Sequence, residues 1–136
     1  MTKHQVFLGL GSNLGDKVWN LQEAIRLIGE RVGTVTRQSS FIETEPWGFE
    51  SEHTFLNAAI CCETEKTPRE VLLLTQQIER DLGRTKKSVS VGYADRTVDI
   101  DILLYDDLRL DEPDLKIPHP LMHERDFVMI PLKEIY

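Results

Sequence analysis

Apolar side chains fall into blocks whose spacing switches between two residues and three or four, the mark of alternating strands and helices. Gln5 to Leu10 is a short apolar run ended by Gly11-Ser12-Asn13, and predicts a strand. Asp16 opens a helix whose buried stripe is Val18, Leu21, Ile25 and Ile28, with the acidic residue placed where the helix dipole favours it. Val32 to Ile42 alternates loosely and predicts a strand, and a polar loop from Glu43 to His53 follows, punctuated by Pro46 and Gly48. Phe55 to Thr64 predicts a third strand. Thr67-Pro68-Arg69-Glu70 is a capping box with proline at the first helical position. It starts a helix with Val71, Leu74, Ile78 and Leu82 inward and Gly83 as its stop. Arg84 to Asp95 carries no hydrophobic period and predicts a mobile loop, and Arg96 to Tyr105 predicts a fourth strand. A hairpin-like piece at Leu108 to Leu110 and short helical turns between Ile117 and Tyr136 complete the chain.

The order strand, helix, strand, strand, helix, strand is the split βαβ pattern of ferredoxin-like folds. The expected architecture is α+β: a βαββαβ antiparallel sheet with its helices on one face and short extra C-terminal elements. The other face of the sheet is then open to a ligand. With 136 residues the chain predicts one domain, spanning 1–136.

Charge narrows the partners. A formal net charge of −7 argues against nonspecific binding to nucleic acid or to an anionic membrane. The apolar runs are far shorter than the ~20 residues of a membrane helix, and no basic start leads into an apolar stretch. Cys61 and Cys62 are neighbours, a spacing ill suited to a disulfide, and on a strand they point to opposite faces. They predict two buried thiols in a cytoplasmic protein, and the chain is expected to act as a monomer.

Three sets of residues carry candidate chemistry. Gly9, Gly11 and Gly15 do not keep the dinucleotide spacing and predict a tight strand-to-helix turn. In Arg96-Thr97-Val98-Asp99-Ile100-Asp101-Ile102, the two aspartates share one strand face about 6.6 Å apart, while Val98, Ile100 and Ile102 point to the core. Carboxylates so placed suit one or two Mg²⁺ ions, or simply a polar outer face. Arg84, Lys86, Lys87, Arg96, His119 and Arg125 surround that strand in sequence, a concentration of cations fit for a polyphosphate within an acidic chain. Trp47, Phe55 and Phe127 are flat enough to stack on a heterocycle, and Asn57, on the strand face of Phe55, offers it a donor and an acceptor.

Taken together these residues resemble the 6-hydroxymethyl-7,8-dihydropterin pyrophosphokinase family of folate biosynthesis. The resemblance runs through Leu8-Gly9-Leu10-Gly11-Ser12-Asn13-Leu14-Gly15-Asp16, Thr44-Glu45-Pro46-Trp47-Gly48, Phe55-Leu56-Asn57-Ala58-Ala59 and Gly83-Arg84. It continues in Arg96-Thr97-Val98-Asp99-Ile100-Asp101-Ile102, Ile117-Pro118-His119-Pro120 and Arg125-Asp126-Phe127-Val128. It implies a ferredoxin-like fold and transfer of pyrophosphate from ATP to the pterin hydroxymethyl oxygen, with release of AMP. It implies Asp99 and Asp101 as ligands of two Mg²⁺ ions, and Arg84 and Arg96 as loop arginines acting on the phosphates. Gln76, Glu79, Lys86, Ile102, His119 and Arg125 match ATP-site positions. Phe55 and Phe127 match the pair that sandwiches the pterin, with Thr44, Asn57 and the backbone around Trp47 as its rim. Ala94-Asp95 departs from the family's usual Gly-Pro, and Tyr93 from the tryptophan of some members. The Arg84–Asp95 stretch is expected to close over the bound substrates. Fold alone leaves a non-catalytic ligand-binding module open beside the enzyme and beside a family member with impaired catalysis.

Overall fold

The computed structural model describes residues 3–44, 54–83 and 97–136. The first strand, β1 (His4–Ser12), turns through Gly15 at a φ of 66° into helix α1 (Lys17–Arg31). Asp16 caps that helix, its carboxylate accepting from the Trp19 amide at 3.1 Å. The inward position of the first turn belongs to Asn20, whose Nδ2 donates to Ser12 Oγ at 3.1 Å and to the Leu14 carbonyl at 2.8 Å. Val18, two positions earlier and so nearly opposite on the helix, is consequently 47% exposed, not buried as its spacing predicts. The buried stripe is Asn20, Leu21, Ala24, Leu27 and Ile28.

The predicted second strand divides in two, β2 (Thr34–Gln38) and β3 (Ile42–Thr44). Between them Ser39 takes both main-chain bonds of Ala59: its amide donates to the Ala59 carbonyl and its hydroxyl accepts from the Ala59 amide, each at 2.9 Å. Both segments pair with β4 (Phe55–Thr64). Helix α2 (Pro68–Gly83) opens with the predicted reciprocal cap, Thr67 N–H donating to Glu70 Oε1 at 2.8 Å and Glu70 N–H to Thr67 Oγ1 at 3.1 Å. Val71, Thr75, Ile78 and Leu82 are its buried positions, and Leu74 is half-buried.

The last strand of the main sheet is β5 (Asp99–Tyr105); its predicted start at Arg96 lies outside the described residues. The sheet order is β2–β4–β1–β5, with β3 also on β4 and every pairing antiparallel. This is the ferredoxin-like arrangement. On one face Val6, Leu8, Leu10, Ile60, Ile100 and Ile102 pack against Leu21 and Ile28 of α1 and Val71 and Ile78 of α2.

The C-terminal region is more regular than its punctuation predicts. A hairpin of β6 (Leu110–Glu112) and β7 (Leu115–Ile117) leads through a 3₁₀ turn, Met122–Glu124, to α3 (Asp126–Ile135). Arg69 on α2 holds that hairpin through Glu112 and Asp114. Helix α3 lies on the second face of the sheet, where Val128, Leu132 and Ile135 join Phe7, Ala59, Cys61 and Leu103 in a separate core. Arg37 Nη1 donates to the Ile135 carbonyl at 2.7 Å, and Ser40 bonds the Glu134 carboxylate, so α3 is anchored at its C-terminal end. Among the described residues this second face is therefore covered by α3 along part of its length and by no other element along the rest. Cys61 and Cys62 are both buried, one in each core, and burial pushes the Cys62 thiol up to about 12.

Candidate functional site

The part of the second face away from α3 is assembled from facing rows of strand residues. On β5 Asp99 and Asp101 are half-buried, whereas Ile100 and Ile102 are buried in the opposite core. In the β1–β5 register Gly11 stands opposite Asp99 and Gly9 opposite Asp101. Directly paired residues share a face, so each carboxylate has a bare backbone as its neighbour across the sheet. The next strand continues these rows with Asn57 beside Gly11 and Ala59 beside Gly9.

Asn57 is only 3% exposed and its orientation is set by donors and acceptors. Nδ2 donates to Thr44 Oγ1 at 2.6 Å and, more weakly, to the Ile42 carbonyl at 3.4 Å. Its Oδ1 lies over Gly11: a methyl group there would come to 3.2 Å from this oxygen and 3.5 Å from the Phe55 ring. Thr44 and Phe55, the facing pair that ends the β3–β4 ladder, thus adjoin the carboxylate rows through Asn57 and Gly11. Behind this edge Lys17 Nζ ties Glu43 at 3.3 Å to the Thr54 carbonyl at 3.2 Å.

The third wall comes from the segment between β7 and α3. The His119 amide donates to the Leu103 carbonyl at 3.0 Å, fastening this segment to β5. Nδ1 of His119 accepts from the Leu121 amide at 3.3 Å, so the neutral ring carries its proton on Nε2. Burial lowers the His119 pKa, Arg125 lowers it further, and Asp99 acts in the opposite sense. Arg125 and Asp99 therefore both lie within electrostatic reach of His119. Arg125 also sits over the Phe127 ring, 5.6 Å from its centroid.

The donor set suits a hard divalent cation. Among the described residues no group of three or more His, Cys, Asp and Glu side chains converges on one point. Two strand carboxylates beside a backbone without side chains leave most of the coordination shell for water and phosphate oxygens, the pattern Mg²⁺ favours.

Over residues 7–136 the chain matches the family model described as 7,8-dihydro-6-hydroxymethylpterin-pyrophosphokinase. The chain belongs to this family. It is 50% identical over 131 residues to a 2-amino-4-hydroxy-6-hydroxymethyldihydropteridine pyrophosphokinase of Porphyromonas gingivalis, covering 96% of this chain and 89% of that one. The Bacillus subtilis protein of the same name is 45% identical over 130 residues, covering 95% of this chain and 76% of that one. A crystal structure of HPPK-DHPS in complex with substrates superposes with a TM-score of 0.73 at 15% identity, over 98% of this chain and 40% of that one. The latter likeness speaks for the fold.

In this pyrophosphokinase-family chain the fold brings Thr44, Phe55, Asn57, Asp99, Asp101, His119, Arg125 and Phe127 to the second face or its rim. Trp47, Arg84, Lys86 and Arg96 lie outside the described residues, as do Tyr93, Ala94-Asp95 and the expected loop closure. Gln76 is half-buried on α2, three residues before Glu79, whose Oε2 accepts from the Ile100 amide at 2.7 Å. The Ile102 side chain is in the helix-side core at 5% exposed, so what it can offer a ligand is backbone. Reading the glycines as a turn missed Gly9 and Gly11, which are strand residues of the site. Their signal was parity: Gly9 and Gly11 alternate with buried Leu8 and Leu10, on the face the aspartates also use.

Proposed function

We propose that this chain transfers the pyrophosphoryl group of ATP to the hydroxymethyl oxygen of 6-hydroxymethyl-7,8-dihydropterin, giving the pterin diphosphate and AMP in folate biosynthesis. The observation that carries the reading is the row Asn57–Gly11–Asp99, which sets an amide for a heterocycle beside a carboxylate pair for a phosphate-bound cation. Phe55 and Phe127 flank the pterin ring, Asn57 and Thr44 bond its edge, and backbone near Trp47 completes the rim. Gln76, Glu79, Lys86, Ile102, His119 and Arg125 form the ATP side. Asp99 and Asp101 hold two Mg²⁺ ions, which when bound supply charge neutralisation at the phosphate oxygens.

Such transfers rest on positioning and electrostatics more than on covalent help from the protein. The pterin hydroxyl oxygen forms a bond to the β-phosphorus as the bond from that phosphorus to the oxygen shared with the α-phosphate breaks. AMP leaves with that oxygen, and the hydroxyl proton passes to solvent. His119, neutral and protonated on Nε2, donates a hydrogen bond to a phosphate oxygen, and Arg125 with Arg84 and Arg96 balances the charge that develops. The enzyme is read as a cytoplasmic monomer with a single domain over 1–136. A net charge of −7 disfavours nucleic acid and anionic membrane as partners. Among the described residues no helix is long and apolar enough to cross a membrane.

AMP formation from ATP and 6-hydroxymethyl-7,8-dihydropterin, with and without Mg²⁺, tests the assignment. AMP that requires both the pterin and Mg²⁺, and falls at least about a hundredfold in Asp99→Ala and in Asp101→Ala, is the expected result. Binding of both substrates without AMP would leave the fold assignment standing and overturn the catalytic one.

A further inference from the structure

Ile100 lies between the two aspartates, and its backbone amide does not join a strand. In an antiparallel ladder successive residues turn their N–H and C=O groups alternately toward and away from the neighbouring strand. Among the described residues β5 ends the order β2–β4–β1–β5, so an outward amide on it meets no further strand. The Ile100 amide instead donates to Glu79 Oε2 at 2.7 Å, joining α2 to the edge of the sheet. Glu79 follows Ile78, which is fully buried in the helix-side core, so a firmly packed turn carries this carboxylate. Ile100 is 7% exposed, and an amide in that position without a partner would be costly. A bond from an amide to a carboxylate is about twice as strong as one between neutral groups.

The geometry points to Glu79 as a positioning residue for the cation-binding pair, its carboxylate acting through the Ile100 amide to set the direction in which Asp99 and Asp101 leave the strand. The inference rests on Asp99 and Asp101 being the Mg²⁺ ligands. Both flanking side chains follow the peptide planes at Ile100, so a backbone released there turns the two carboxylates out of register with each other. Partners that orient metal ligands from behind commonly change metal affinity by about 10- to 100-fold when removed. This duty differs from touching the nucleotide, because it acts on the cation even when nucleotide is saturating.

Glu79→Ala, Glu79→Gln and Asp101→Ala are compared with the unaltered chain in Mn²⁺ titrations followed by electron paramagnetic resonance. A non-hydrolysable ATP analogue is kept saturating for each protein, and hydrogen exchange of the Ile100 amide is followed by NMR. Glu79→Ala is expected to bind Mn²⁺ roughly tenfold more weakly and to exchange the Ile100 amide faster, while amides in the middle of β1 and β4 keep their protection. Glu79→Gln, which retains a carbonyl acceptor, is expected to keep most of the affinity. Unchanged exchange at Ile100 in Glu79→Ala overturns the inference. So does unchanged Mn²⁺ affinity there when Asp101→Ala has lost it, or a Glu79→Gln as weak as Glu79→Ala. Should Glu79→Ala lose protection throughout the sheet, Glu79→Gln alone decides, by the same criterion. If Asp101→Ala binds Mn²⁺ as tightly as the unaltered chain, the metal assignment itself fails, and the inference falls with it.

Discussion

At Gly11 the backbone lies against its neighbours with only a hydrogen where other residues carry a side chain. A methyl on Gly11 would press to 3.2 Å from Asn57 Oδ1 and 3.5 Å from the Phe55 ring, at the junction between the amide and the carboxylates. Gly11→Ala is expected to raise the KM for the pterin by about tenfold or more, while nucleotide binding changes little. Steady-state kinetics with each substrate varied in turn would show it, and an equal effect on both substrates would contradict it. His119 invites a second test. Burial and Arg125 hold its pKa below the ordinary 6.5, so as pH falls past 6.5 the unfolded chain takes up a proton that the folded ring resists. Stability from this residue is therefore fully present above 6.5 and is lost as pH drops through the lowered folded value. Urea unfolding of the ligand-free protein between neutral pH and about 5 should show a steeper loss than for His119→Gln. Matching slopes would remove the effect.

At the level of elements, the termini that carry the site are held by local chemistry that can be tested singly. The Thr67–Glu70 box satisfies two amides at the start of α2, and the Thr67 backbone and hydroxyl in turn hold the Glu70 carboxyl below its usual range. Thr67→Ala should cost about 1 kcal/mol, with Thr67→Ser largely restoring it, as read from urea midpoints. Because α2 also carries Glu79 to the edge of β5, its placement connects an ordinary helix start with the aspartate strand. The division of the predicted second strand has a similar consequence. The break at Ser39 and Ser40 gives α3 its anchorage through Glu134, and α3 in turn covers one end of the second sheet face. Local periodicity and proline punctuation predict only short helical turns in the tail, not one continuous ten-residue helix. Its continuity was hidden because Pro131 interrupts the pattern, and that residue is buried in place.

For the whole molecule, Cys61 and Cys62 report on cooperativity. They are consecutive residues of β4, which is paired with β1 on one side and β2 on the other, and they enter opposite cores. Both thiols should react with a bulky maleimide only through global opening, at equal rates that track the unfolding free energy. Mass spectrometry showing one cysteine labelled well before the other would mean that one core opens alone. The same strand illustrates how far the chain could be read unaided. Its extent, the capped helix after it and the shared face of Asp99 and Asp101 follow from periods of two and of 3.6 residues, which act between neighbours in sequence. Those signals predicted the ferredoxin-like class and the element order apart from the division of the second strand. What tertiary structure alone decided is which distant groups meet: Gly11 between Asn57 and Asp99, His119 fastened to Leu103, Asn20 turned inward in place of Val18, and Glu79 on the Ile100 amide. Register across strands and the seating of α3 depend on burial shared between segments far apart in sequence, and a local pattern carries no record of its partner.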